Sequence, residues 1–300
     1  MADEIGGVGF VIVAYRNDAA ALEGLSSCLL QAADSLGHTA GVYLVMNDDQ
    51  EIPDIPGVRV IQGHGNVGFA AGIRRGVLAA DEDYLVLVNP DCLPDLEQFR
   101  AFLKRITPGT IAVPMLHKED GTFDYMPYEN WTYTPGRMLA ARLCRRRLPS
   151  RADEHLPWYA KIPGAFVGMP RSTALELNAP FDADYFLYAE DRDLTDRVRA
   201  EGIAITLLRD VRVTHLGGES GKTVSNLVAK SKADGSLRVS FRRYGRPGAL
   251  IFAIDQWLCD TIKHRLGRQT ERDAHKWSIA RWRAAGFSDP GPLNEHILTS

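Results

Sequence analysis

Apolar residues in this chain fall into short unbroken runs that alternate with stretches of helical spacing. Val8-Gly-Phe-Val-Ile-Val-Ala-Tyr15 predicts a strand buried on both faces. Asp18 stands where an N-cap belongs, and Leu22, Leu25, Leu29 and Leu36 keep helical spacing until Gly37. Val42 to Met46 and Val58 to Ile61 predict two further strands, the second followed by a glycine-rich loop and a helix over Phe69 to Ala80. Tyr84-Leu-Val-Leu-Val88 predicts the central strand, which stops at Asn89-Pro90-Asp91 because proline cannot continue a ladder. Strands alternating with helices imply βαβ units and a mostly parallel sheet.

Beyond the central strand, Pro94 and Asp95 open a helix, and Thr110 to Met115 predicts a strand. From Tyr125 to Lys161 the periodicity fails; this segment carries Trp131, Tyr133, Trp158, Tyr159 and six arginines between Arg137 and Arg151 without an acid. Order resumes with a strand at Ala165 to Met169, a short helix at Ser172 to Asn178 and a helix from Glu190 to Glu201. Separate strands are expected at Ile203 to Leu208 and Val211 to Thr214. From Val224 to about Ala285 the pattern is helical, basic and amphipathic, and the chain closes in a Pro/Gly-rich tail.

With 300 residues and 45% apolar content the chain can bury a large core, and a net charge of −3 argues against a general nucleic-acid binder. Cys28, Cys92, Cys144 and Cys259 are scattered without a C-x-x-C pair, which predicts a reducing compartment. There is no basic, apolar leader, and Ala249 to Ile254 is too short to cross a bilayer, so a cytoplasmic protein, soluble or membrane-peripheral, is expected.

Three stretches can carry chemistry. Asp91 emerges at the carboxyl end of a central strand, where open α/β sheets place their ligands; the plain alternative is a turn aspartate capping the next helix, a job Asp95 can also do. Gly63-His-Gly65-Asn66-Val-Gly68 is G-x-G-x-x-G between a strand and a helix, with Asp91 23 residues on, which suits a dinucleotide or any anion facing a helix N-terminus. The loop follows the third strand, however, rather than the first. The stretch Phe181 to Leu194 packs five carboxylates (Asp182, Asp184, Glu190, Asp191, Asp193) into twelve residues among four aromatics. A cap needs one acid; crowded carboxylates need a cation or a raised proton affinity, and one of them can serve as a general base. His215 ends a strand ahead of a glycine loop, as a metal ligand or as a hydrogen-bonded structural residue.

Taken together these stretches resemble the inverting family 2 glycosyltransferases of the GT-A fold, in particular the rhamnosyltransferase-like branch. The resemblance lies in Val11-Ile-Val-Ala-Tyr15, Gly65-Asn66-Val-Gly68-Phe69-Ala-Ala-Gly72, Asn89-Pro-Asp91, Phe186-Leu-Tyr-Ala-Glu190-Asp191-Arg-Asp193-Leu194 and His215-Leu-Gly-Gly-Glu-Ser220. It implies an α/β GT-A domain over 1–223, with a mostly parallel central sheet flanked by helices and an acceptor-side insertion at about 125–161. A C-terminal helical extension over 224–300 would follow. Asp91 and His215 would hold Mg²⁺ or Mn²⁺, and Asp191, with Glu190 beside it, would be the catalytic base. Ala14, Tyr15, Asn47, Asn66, Gly68, Phe69, Gly72 and Asn89 would join Asp91 around the nucleotide-sugar.

Trp131, Trp158 and Asp193 are the acceptor-side candidates. The implied reaction moves a sugar, with dTDP-L-rhamnose the leading donor, to a hydroxyl of a glycan, glycolipid or natural product, as in cell-surface polysaccharide biosynthesis. Peripheral contact with the inner face of the plasma membrane, through the arginine-rich segment or the basic C-terminal helices, and homodimer formation are left open. Met46 stands where the branch often has aspartate, and Arg74 where it has asparagine, which puts the nucleotide in question more than the reaction. The alternatives are a non-catalytic nucleotide- or sugar-binding protein and an NAD-dependent oxidoreductase.

Overall fold

The computed structural model describes residues 6–48, 50–52, 54–124, 155–158, 160–217, 225–268 and 271–299. Among them one seven-stranded sheet runs in the order β3-β2-β1-β4-β6-β5-β7. The strands are β1 (Gly7–Ala14), β2 (Thr39–Met46), β3 (Val58–Ile61), β4 (Tyr84–Val88), β5 (Ile111–His117), β6 (Phe166–Pro170) and β7 (Ile205–Thr214). The helices are α1 (Ala19–Asp34), α2 (Phe69–Ala79), α3 (Leu96–Leu103), α4 (Arg171–Glu176), α5 (Glu190–Ala200), α6 (Ser225–Arg265), α7 (Arg272–Ala284) and α8 (Glu295–Thr299). Strands β1 to β4 pair in parallel, as do β5 and β7, while β6 is antiparallel to both neighbours. The expected mostly parallel sheet is therefore present; the reversal of β6 leaves no mark in a continuous apolar run.

Alternation along β1 sends its two faces into separate cores. Phe10 and Ile12 pack with Leu22 and Leu25 of α1 and with Phe99 and Phe102 of α3. Val11 and Val13 face α2, with Ile73 and Val77. That helix comes very close to the sheet: a Cβ at Gly72 would lie 2.8 Å from Val13 Cγ1, and one at Gly76 2.3 Å from Val11 Cγ1. Asp18 caps α1 by accepting from the Ala21 N–H at 2.9 Å, and Asp95 caps α3 by accepting from the Gln98 N–H at 3.1 Å. Asp95 thus does the capping, and Asp91 does not.

Three expectations change. The two strands expected at 203–208 and 211–214 are one strand, β7, whose pairing with β5 shifts register between Pro114 and Met115. The long C-terminal helix is broken at Gly245, where φ is 65° and ψ −161°, a conformation open to glycine. The Pro/Gly-rich tail is not a loose end. It forms α8, and Leu293 and Leu298 pack against Phe186 and Leu227.

Candidate active site

The carboxyl ends of β1, β2 and β4 open into a cavity of about 290 Å³. Asp91, Asp191 and His215 all line it, although 124 residues separate the first from the last. Asp91 and His215 meet because the chain leaving β4 pairs with the end of β7. Leu93 N donates to Thr214 O at 2.9 Å and Leu216 N to Asp91 O at 3.0 Å, with Cys92 and His215 bridged. The His215 Nε2 then sits 3.2 Å from Asp91 Oδ1, and its Nδ1 3.4 Å from Asp124 Oδ2. Burial opposes a charge on His215, but hydrogen bonds to Asp124 and Asp91 outweigh it, and its pKa is pushed up to about 9. Burial likewise works against ionised Asp91, and the hydrogen bond and charge of His215 prevail, holding it below the usual carboxylate range.

Once the Nε2 proton is given up, as metal binding requires, this pair suits a divalent cation. Two donor atoms 3.2 Å apart match neighbouring corners of an octahedron whose bonds are about 2.1 Å and whose edge is therefore about 3.0 Å. Asp124 on the far ring nitrogen forms the carboxylate–histidine arrangement that orients a metal-binding imidazole. No three His, Cys, Asp or Glu side chains among the described residues make a ligand set by themselves, so a cation held by this pair would need further ligands from outside the protein. Sequence reasoning missed Asp124; it follows a turn and belongs to no periodic pattern.

Glu190 and Asp191 reach the cavity as the first two residues of α5, behind a strained turn. Tyr188 and Ala189 have φ of 67° and 74°, adjacent non-glycine residues in the left-handed region. Such residues cost about 1–3 kcal/mol each and persist where packing over-determines them. Here α6 presses on the turn at Gly235, where a Cβ would lie 2.7 Å from the Tyr188 carbonyl. Lys161 forms an ion pair with Asp191 Oδ2, while Asp191 Oδ1 is buried without a partner. Lys161 is the second residue the sequence did not single out, at the very end of an aperiodic segment. Glu190 is 5% exposed; burial, eased by its backbone N–H and by Lys161, pushes its carboxyl up to about 6.

The five-carboxylate block divides in two. While Glu190 and Asp191 face the cavity, Asp182, Asp184 and Asp193 are bound by arginines. Arg242 Nη1 reaches Asp182 at 2.7 Å and Asp193 at 2.9 Å, and its Nη2 reaches Asp184 at 2.9 Å. Arg197 holds Asp193 from within α5 at 2.8 Å. The cation that the crowding called for is an arginine of α6. Asp193 is 4% exposed and lines no part of the cavity, so its place in the fold is structural rather than acceptor-facing.

Among the expected nucleotide contacts, Tyr15, Asn47, Asn66, Gly68, Phe69 and Asn89 line the cavity with Asp91. Ala14 and Gly72 do not; Ala14 is buried at the end of β1, and Gly72 lies against Val13. At the start of α2, two of the N–H groups expected to face an anion already have partners. Phe69 N–H donates to the Phe186 carbonyl at 2.7 Å and Gly68 N–H to Asn66 Oδ1 at 3.2 Å. Gly68 itself has φ 82° and ψ 177°, and a Cβ there would lie 2.4 Å from Phe186 O. Gly68 thereby lets two loops come together. Asn47 Nδ2 donates to Gly68 O at 2.9 Å, and Asn66 Nδ2 to Glu295 Oε1 of α8 at 3.1 Å. Arg74 staples α2 to Asn178, reaching its carbonyl at 3.0 Å and its Oδ1 at 2.6 Å. Trp158 is 71% exposed and away from the cavity; Trp131 lies outside the described residues, as does most of the 125–161 segment.

Residues 38–156 match the family model described as "Glycosyl transferase family 2", about two fifths of the chain. No curated protein sequence matches the chain. Among solved structures, it is similar to GalNAc-T7 with UDP, GalNAc and Mn²⁺ (TM-score 0.57, 14% identity), covering 94% of this chain and 58% of that one. It is also similar to the mannosyltransferase PcManGT from Pyrobaculum calidifontis with GDP-Man and Mn²⁺ (TM-score 0.51, 12% identity, 97% and 85% covered). A third is S. aureus TarS 1-349 (TM-score 0.51, 11% identity, 93% and 92% covered). The chain therefore has the GT-A fold of these glycosyltransferases, and residues 38–156 of it resemble family 2.

Proposed function

We propose that the protein is an inverting glycosyltransferase that moves a sugar from a nucleoside-diphosphate sugar to an acceptor hydroxyl. The observation that carries this reading is the convergence of Asp91, His215 and Asp191 on one cavity at the carboxyl ends of the strands. Asp91 and His215 would hold Mg²⁺ or Mn²⁺, which supplies stabilisation of the charge that develops on a departing diphosphate. Tyr15, Asn47, Asn66 and Asn89, which line the cavity, would bound the nucleotide.

Asp191 takes the acceptor proton on its carboxylate, which Lys161 orients by its ion pair to Oδ2. The acceptor oxygen bonds to the anomeric carbon from the face opposite the diphosphate, the carbon–diphosphate bond breaks, and the configuration inverts. The preferred donor is dTDP-L-rhamnose, on the strength of the sequence blocks, and the acceptor is a glycan or lipid-linked hydroxyl. The G-x-G-x-x-G loop gives little support to a dinucleotide site: it follows β3, an edge strand, and the Gly68 and Phe69 N–H groups already have partners.

A general base contributes about 10²- to 10⁴-fold in rate. Asp191→Asn is therefore expected to lower release of nucleoside diphosphate by that factor, with Mn²⁺-dependent nucleotide binding measured by calorimetry unchanged. Near-normal turnover in this variant would remove Asp191 from the base role.

A further inference from the structure

The second half of α6, beyond the break at Gly245, has two unlike faces. One is buried: Ala249 and Phe252 join Leu237 and Trp282 in a small core, and Asp255 and Asp260 are 1% and 2% exposed. The other carries large apolar side chains in the open. Leu250 is 47% exposed, Ile254 53%, Trp257 55%, Ile262 55% and Leu266 64%, with Ile251 at 37%. Leu250, Ile254 and Trp257 follow the i, i+4, i+7 spacing that stacks them on one stripe. From Leu250 to Trp257 this stripe runs about 10 Å at about 1.5 Å per residue, and Ile262 and Leu266 stand exposed beyond it, off its line.

Within 244–268 the exposed charges have one sign, although Glu271 and Asp273 follow soon after. Arg246 precedes the stripe and Lys263, His264, Arg265 and Arg268 close it, all exposed. The acids within 244–268 are Asp255 and Asp260, both turned inward, and Asp260 is 2.7 Å from His275 Nδ1 of α7. In a chain of net charge −3 this is a local reversal. We propose that this face of α6 docks the protein on an anionic lipid bilayer, lying in the headgroup plane. Apolar residues with an exposed tryptophan enter the interface, and the basic residues meet anionic headgroups. A second copy of the chain is the poorer occupant, since self-pairing along the stripe sets bases against bases. The helix does not cross the membrane; no described helix is long and apolar enough.

The surface is tied to the cavity. Through Arg242 the first half of α6 clasps the loop ahead of Glu190 and Asp191, and Leu227 of the same helix lines the cavity. Docking would thereby fix the orientation of the cavity over the bilayer. The inference stands apart from the transferase reading, because it rests on a different face and needs no turnover.

Flotation of the purified full chain with vesicles of phosphatidylcholine alone, and with phosphatidylcholine mixed with anionic phosphatidylglycerol, which gives the surface a negative potential, tests it. Binding to the anionic vesicles is expected to be at least about 10-fold tighter than to the neutral ones and to weaken in high salt. Ile254→Asp with Trp257→Ser is expected to abolish flotation while leaving the melting temperature unchanged. No flotation on either vesicle overturns the proposal. So does flotation that the double variant retains, which would place the contact elsewhere. A concentration-dependent dimer in sedimentation, lost in the double variant and accompanied by no lipid binding, would assign the face to a second copy instead.

Discussion

Replacing Glu190 by glutamine tests how the site is strained electrostatically. The carboxyl is 5% exposed, and Oε2 has no hydrogen-bond partner. Burial raises its pKa from 4.5 to about 6 despite its own N–H and the Lys161 charge. At about 1.4 kcal/mol per tenfold change in proton affinity, this is about 2 kcal/mol. Because the folded state binds the proton more tightly than the unfolded chain, that stabilisation is complete below pH 4.5. It is lost as the pH rises through about 6, beyond which the folded protein carries a buried charge. Glutamine keeps the shape and never ionises. The Glu190→Gln variant is therefore expected to be about 2 kcal/mol more stable than the parent at pH 8, and equal to it at pH 4. At about 2 °C per kcal/mol for a chain of this size the gain is about 4 °C in Tm, read by differential scanning at both pH values. A difference independent of pH, or a parent more stable at pH 8, would refute the reasoning and mean that Lys161 fully compensates the charge.

Two further outcomes follow from the same geometry. Arg242→Ala strips the shared cation from Asp182, Asp184 and Asp193 and is expected to cost about 3–5 kcal/mol in urea unfolding; a loss under 1 kcal/mol would show that Arg197 and Arg238 suffice. Asp124→Asn leaves the Asp91–His215 pair intact but removes the carboxylate behind the imidazole, so the Mn²⁺ concentration needed for nucleotide binding is expected to rise about 10- to 100-fold, and an unchanged titration would exclude that orienting role.

Much of the site was legible as isolated blocks. Asn89-Pro-Asp91 ends a strand in sequence and in structure, and Glu190 and Asp191 begin a helix where the carboxylate run predicts one. Their company was not legible. Lys161 and Asp124 sit in stretches without periodicity, and nothing local distinguishes them from surface charges. The arginine that neutralises the acidic block lies about fifty residues further on, in a helix whose pattern reads only as basic and amphipathic. The glycine loop offers a helix N-terminus in sequence, yet Phe186 and Asn66 already take the Phe69 and Gly68 N–H groups.

By itself, the order of apolar runs and helical spacings determined the alternating α/β architecture, the buried central strands and the caps at Asp18 and Asp95. Those are local matters: each depends on a residue's neighbours within a turn or a strand. Tertiary structure alone decided the antiparallel β6, the union of two runs into β7 and the return of the tail to Asn66. It also decided which carboxylates face the cavity and which face arginines. These depend on pairing and charge across tens to hundreds of residues, where the same side chain is a ligand, a base or a structural anchor according to what the fold sets within about 3 Å of it.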